Sequence, residues 1–197
     1  MRKDELLTNY ARVVLASSSK TRIKLLRKYI KKFLIRPHNI DESKFKKTGE
    51  PENVVYELAK QKAISIQKDF PDFIIIGSDQ ILVCNKKILD KPNTLAEAKK
   101  NLLFLRNRKH ILLSSIFIIK NEKHFYSKTT SAMLYFKNIP QDVIDDYIQN
   151  NQETVFSTVG SYKIEENHKY NFVKIIRGNR ETIQGFPIKD AVKKLEI

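Results

Sequence analysis

Ile74-Ile75-Ile76-Gly77-Ser78-Asp79-Gln80 decides how the chain is read. With Phe73 before it, the isoleucine run is too short for a helix, and its β-branched residues suit a strand buried on both faces. The run ends on Gly, Ser, Asp and Gln. Open α/β sheets bind ligands beyond the carboxyl ends of such strands. Gly77 permits close backbone approach. Asp79 would be a carboxylate beside an apolar core, suited to holding a divalent cation or activating water. The same residues also fit an Asx-turn leading into a hairpin.

Working outward, strands and helices alternate. Arg12–Ala16 reads as a first strand and Ser18–Tyr29 as a helix, with Ile23, Leu26 and Ile30 at helical spacing. Phe33–Arg36 is a short strand. Pro51 opens a helix through Gln67. Ile81–Cys84 and Lys87–Leu89 form a hairpin around Asn85-Lys86. Thr94–Arg106 is a helix with Thr94 as cap and Glu97 at capping-box spacing. Lys109–Lys120 and His124–Phe136 pair as long strands across Asn121-Glu122. Pro140–Asn150 is a helix. Phe172–Ile176 and Glu181–Gln184 are strands around Gly178-Asn179, and Ile188–Leu195 is a last helix. The alternation predicts an α/β fold with a mixed central sheet flanked by helices.

Composition bounds the function. The chain has 197 residues, 41% of them hydrophobic, enough for one domain with a real core. No apolar run approaches the roughly 20 residues of a membrane span. The polar start and the lone Cys84, expected in the core, predict a cytoplasmic protein without disulfides. The net charge of +15 is spread along the chain, and much of it is lysine. It reads as a solvated basic surface rather than a nucleic-acid-binding one. His38, His110, His124 and His168 have no metal-ligand spacing, and no GxxxxGK[S/T] loop is present.

Two further segments carry chemistry. Leu15-Ala16-Ser17-Ser18-Ser19-Lys20-Thr21-Arg22 takes a strand into a helix through serines that can cap it. Lys20 and Arg22 then sit where cations oppose the helix dipole by about 0.3–1 kcal/mol each. A bound phosphate would reverse that sign; an ordinary cap beside stray cations is the alternative. In Leu89-Asp90-Lys91-Pro92, Pro92 ends a strand and holds Lys91 there as a point charge for phosphate.

Together these segments resemble the Maf family of septum-formation-inhibitor-like nucleotide pyrophosphatases. Ser17 to Arg22 resembles the family's Ser-x-Ser-Pro-x-Arg opening, Gly77-Ser78-Asp79-Gln80 its Gly-Ala/Ser-Asp-Thr/Gln turn, and Asp90-Lys91-Pro92 its Gly/Asp-Lys-Pro turn. Asp41-Glu42, Leu58-Ala59-Lys60-Gln61-Lys62-Ala63, Gly160-Ser161-Tyr162-Lys163-Ile164-Glu165 and Gln184-Gly185-Phe186-Pro187-Ile188 resemble further family segments, in family order. The chain departs from the pattern at Lys20, where the family has proline, at Ile23, where it has a second arginine, and at Glu166-Asn167-His168-Lys169, where it has glycines.

The resemblance implies a single domain over residues 1–197, with two lobes around a nucleotide-binding cleft. It implies hydrolysis of a nucleoside triphosphate to monophosphate and pyrophosphate, limiting incorporation of non-standard nucleotides. Asp79 would be the catalytic carboxylate and would share a divalent cation, Mg²⁺ or Mn²⁺, with Glu42. Ser17, Arg22, Lys62 and Lys91 would hold the triphosphate. Thr21, Gln80 and Glu165 would sit near the base. The Gln80–Glu165 pair resembles the subgroup that prefers 7-methylguanosine triphosphate, although that subgroup often has an aromatic where this chain has Thr21. Members often form homodimers. Two other readings stay open: a nucleotide-binding regulator of cell division without turnover, and a basic nucleic-acid-binding module.

Overall fold

A computed structural model describes residues 12–45 and 49–195. Seven strands form a mixed sheet in the order β2-β1-β3-β5-β6-β7, with β4 paired to β3. They are β1 (Val13–Leu15), β2 (Leu34–Ile35), β3 (Ile74–Cys84), β4 (Lys87–Leu89), β5 (Arg108–Lys120), β6 (Lys123–Phe136) and β7 (Val173–Arg177). β1 runs parallel to both neighbours, pairing Val14 with Leu34 and Val13 with Ile74. β4 is antiparallel to β3, and β7 to β6. The helices among the described residues are α1 (Lys20–Leu26), α2 (Pro51–Ile64), α3 (Leu95–Leu105), α4 (Gln141–Asn150), α5 (Gln152–Ser157), α6 (Asn167–Tyr170), α7 (Arg180–Ile183) and α8 (Lys189–Leu195). None is long and apolar enough to cross a membrane.

Turn chemistry sets the hairpin bends. Asn85 and Lys86 have φ of 49° and 62°, and Asn121 and Glu122 have 51° and 59°. Positive φ at both central residues is the twist-matching turn of two-residue hairpins, and asparagine tolerates it best among residues with a side chain. Thr94 caps α3 by accepting from the Glu97 amide, while the Glu97 carboxylate accepts from the Asn93 amide. The return bond lands one residue before the cap, a variant of the expected capping box.

Two expectations are corrected. Phe73–Ile76 and Ile81–Cys84 are not separate strands. β3 starts at Ile74 and runs unbroken to Cys84, so Asp79 lies inside a strand and not at a turn. Glu181–Gln184 is not a strand either. Asn179 accepts from the Thr182 amide and starts the short helix α7, an N-cap that outweighs the β-propensity of Thr182-Ile183.

The chain forms two compact units. One comprises Met1–Asp79, Ser114–Thr130 and Gly185–Ile197; the other comprises Gln80–Leu113 and Ser131–Gln184. In the first unit, side-chain alternation divides the strands' apolar residues between two faces. Val13, Leu15 and Ile76 pack with Leu25 and Leu26 of α1 and with Ala191 and Val192 of α8. Val14, Ala16 and Ile75 pack with Ala59 and Ala63 of α2. In the second unit, Leu102 and Leu105 of α3, Ile144 and Tyr147 of α4, and Leu134 and Phe136 of β6 share a core that includes Cys84, as expected of that thiol.

Candidate active site

In the first unit, one close contact brings two of the candidate side chains, Lys62 and Asp79, together. A Cβ on Gly77 would lie 2.2 Å from the Ala59 carbonyl oxygen and 2.9 Å from the Ala63 Cβ. Only glycine lets α2 press this close to β3. The same helix turn carries Lys62, and two residues beyond Gly77 comes Asp79. Lys62 is 2% exposed and Asp79 5%, so their charges are desolvated and must be paired. The Lys62 Nζ lies 2.5 Å from Asp79 Oδ1 and 2.8 Å from Glu42 Oε1. One buried ammonium thus bridges two carboxylates. Glu42 comes from a short turn, Glu42–Lys44.

Arg22 is committed to backbone as well as charge. Its Nε donates to the Gly185 carbonyl at 3.0 Å and its Nη1 to that of Ser78 at 2.7 Å. Burial depresses the guanidinium, and Asp79 and Glu42 oppose that shift; an arginine remains charged regardless. Ser78 donates from Oγ to the Ser115 carbonyl. Ser17 is buried, its Oγ accepting from the Ser19 amide, and Ser19 caps α1 at the Arg22 amide. Thr21 is half-buried on α1, which has no acidic residue in its first turn. Ile23, where the family pattern has arginine, packs against the apolar cluster beneath α1.

Sequence reasoning missed His38. Its Nε2 lies 3.5 Å from Glu42 Oε1, and its Nδ1 is buried without a hydrogen-bond partner. Burial first, then the Lys62 charge, holds its pKa down at about 4, so the ring is neutral at pH 7. The available signal was the four-residue spacing to Glu42.

Asp79 Oδ2 is also buried without a hydrogen-bond partner. Such an atom is costly unless something completes it. Among the described residues no group of three or more His, Cys, Asp or Glu side chains is arranged for a metal ion. The donor set therefore fits a hard cation of the Mg²⁺ type only in its usual enzymatic form, with one or two carboxylates and substrate oxygens completing the shell.

The second unit holds the remaining predicted residues. Lys91 is exposed, just after β4 and before the buried Pro92. Gln80 donates from Nε2 to the carbonyls of Thr182 and Ile183. Glu165 accepts from Gln184 Nε2 at 2.6 Å. The segment that departs from the family's glycines has its own structural work. The Glu166 carboxylate takes the hydroxyls of Tyr147 and Thr154, and the Asn167 carboxamide both donates to the Val173 carbonyl and accepts from its amide.

Known proteins match this chain over nearly its whole length. The family described as Maf-like protein matches residues 12–197. The chain is 33% identical over 184 residues to the dTTP/UTP pyrophosphatase of Shouchella clausii, covering 93% of each. It is 30% identical over 186 residues to the nucleoside triphosphate pyrophosphatase of Legionella pneumophila strain Corby, covering 93% of this chain and 92% of the relative. To the 7-methyl-GTP pyrophosphatase of Bartonella henselae it is 30% identical over 186 residues, covering 93% of each.

Proposed function

This chain belongs to the Maf-like protein family, and from that premise we propose that it hydrolyses a nucleoside triphosphate to the monophosphate and pyrophosphate. The observation that carries the chemistry is the buried Lys62 ammonium held between Glu42 and Asp79, with Asp79 Oδ2 unpartnered. A water oxygen attacks the α-phosphorus, the bond to the β-phosphate breaks, and pyrophosphate leaves. Asp79 accepts the proton of the attacking water. Lys62, desolvated and positively charged, orients Asp79 and stabilises the negative charge that develops on the phosphoryl oxygens. Arg22 and Ser17 hold phosphate in the same unit, and the family pattern adds Lys91.

A divalent cation, Mg²⁺ or Mn²⁺, would be held by Asp79 and Glu42. Bound there, it would neutralise triphosphate charge and polarise the reacting phosphate. Among bases, 7-methylguanine is the reading that the Gln80–Glu165 pair supports, through its resemblance to the subgroup that prefers 7-methylguanosine triphosphate. The test is a panel of common and methylated triphosphates, with pyrophosphate and orthophosphate read with and without chelator. Pyrophosphate that disappears on chelation is the expected result. Orthophosphate alone, or no turnover on any nucleotide, contradicts the proposal; binding without turnover points to the regulator.

A further inference from the structure

One face of the first unit gathers cations that few acids answer. From Arg12 to Ile40 the chain has no aspartate or glutamate. Within that stretch Lys24, Arg27, Lys28 and Lys31 are all exposed. The turn of α1 runs on past its last residue, because the Ile30 amide donates to the Leu26 carbonyl. Spacings of three, four and seven residues therefore set these cations on one side. The opposite side is occupied: Leu25, Leu26 and Ile30 are buried in the core, at 5%, 0% and 5% exposure. α8 packs into the same core through Ala191 and Val192 and presents Lys193 and Lys194 to solvent. Its one acid, Asp190, is held by Lys128 Nζ at 2.6 Å. Among the described residues no carboxylate pairs with the four cations on α1 and its closing turn.

We propose that this face of α1 is a docking surface for a nucleic-acid strand, held by its phosphate backbone and not by its sequence. Like charges three and four residues apart on a helix repel. A chain of phosphates laid along them turns that repulsion into attraction. Lysine and arginine strengthen such contacts by releasing the counterions condensed on the strand. A lipid surface fits less well. A helix that lies on a membrane sinks its apolar side among the acyl chains, and α1 already buries that side on the sheet. What remains outward is charge alone, and a polyanion matches it. None of the four residues has a part in the hydrolysis proposed above, so strand binding and turnover can be read apart.

The experiment is fluorescence anisotropy of a labelled oligouridylate, about 20 nucleotides long, titrated with the protein at several salt concentrations. The parent should bind, with log K falling linearly as log salt rises. The fourfold variant Lys24→Gln, Arg27→Gln, Lys28→Gln, Lys31→Gln should reduce that slope by roughly three, at about 0.7 per phosphate contact of a single strand. Its affinity should drop by tenfold or more, on the order expected for several lost contacts, with parental melting. The control removes as much charge from the second unit, where Lys86, Lys100, Lys109 and Lys174 are also exposed. Changing each of those to Gln should keep the parental slope and affinity. Equal losses in the two variants would mean that net charge alone attracts the strand, and would overturn the proposal. No binding by the parent at physiological salt would overturn it too. Vesicles of phosphatidylcholine with phosphatidylserine form the second arm. Sedimentation with them that the four substitutions abolish, without oligouridylate binding, would assign the face to lipid instead. Should the fourfold variant not fold, Lys24→Gln with Lys28→Gln should lower the slope by about half as much.

Discussion

At the scale of residues, Lys62 matters as much as Asp79. On the sequence it was one helix lysine among many, and only the family resemblance singled it out. Burial at 2% and contacts with two carboxylates make it the counter-charge of the site. Lys62→Met should therefore be worse for folding than Asp79→Asn. The first leaves Asp79 and Glu42 without their shared cation, and removing one partner of a buried ion pair typically costs about 3–5 kcal/mol. In a chain this long that is a melting drop on the order of 10 °C. Asp79→Asn leaves Lys62 still paired with Glu42, so its drop should be clearly smaller. Equal drops, measured by calorimetry, would mean that Glu42 contributes nothing to holding the ammonium. His38 stayed unread because a histidine four residues from a glutamate has no meaning until the loop that carries them is folded.

Among the elements, β3 organises the first unit. Sequence periodicity recovered its apolar start and its hairpin end, but it broke the strand at Gly77-Ser78-Asp79, residues that usually mark turns. What overrides that preference is tertiary. Gly77 is there to admit α2, the Ser78 hydroxyl donates to the Ser115 carbonyl, and Lys62 meets one of the two Asp79 oxygens, Oδ1. Gly77→Ala puts a methyl group 2.2 Å from a backbone oxygen, which cannot swing away. Overpacking of this kind costs about 1–3 kcal/mol or more, and it would also push Lys62 away from Asp79. The expected result is a lowered melting temperature together with a fall in pyrophosphate release. An alanine variant with parental melting and rate would show that the close approach is not needed. By contrast the two-residue turns at Asn85 and Asn121 were legible from sequence, because asparagine states its conformation locally. The helix at Arg180–Ile183 was not, since its cap lies in a loop that also suited a hairpin.

Across the whole molecule, the order of strands and helices and the family were legible from short segments, whereas burial and partner choice were not. His110 shows the difference. From sequence it had no assignable role. In the fold it is 1% exposed against the Tyr162 hydroxyl, and burial pulls its pKa down to about 4. Between the unfolded value near 6.5 and about 4, the unfolded chain takes up a proton that the folded chain refuses. Stability is thus full above the upper value and falls as pH drops through that window. Urea midpoints should decline from pH 7 to pH 5, and His110→Gln should flatten the decline; parallel curves would count against a neutral buried ring. The proposed hydrolysis, however, depends above all on the Asp79 carboxylate. Pyrophosphate release by Asp79→Asn, with its melting curve beside the parent's, tests it most directly. A folded variant slowed by roughly 10²–10⁴-fold is expected, while a folded variant keeping more than about a tenth of the parent rate, against that expected loss, would mean that another group activates the water.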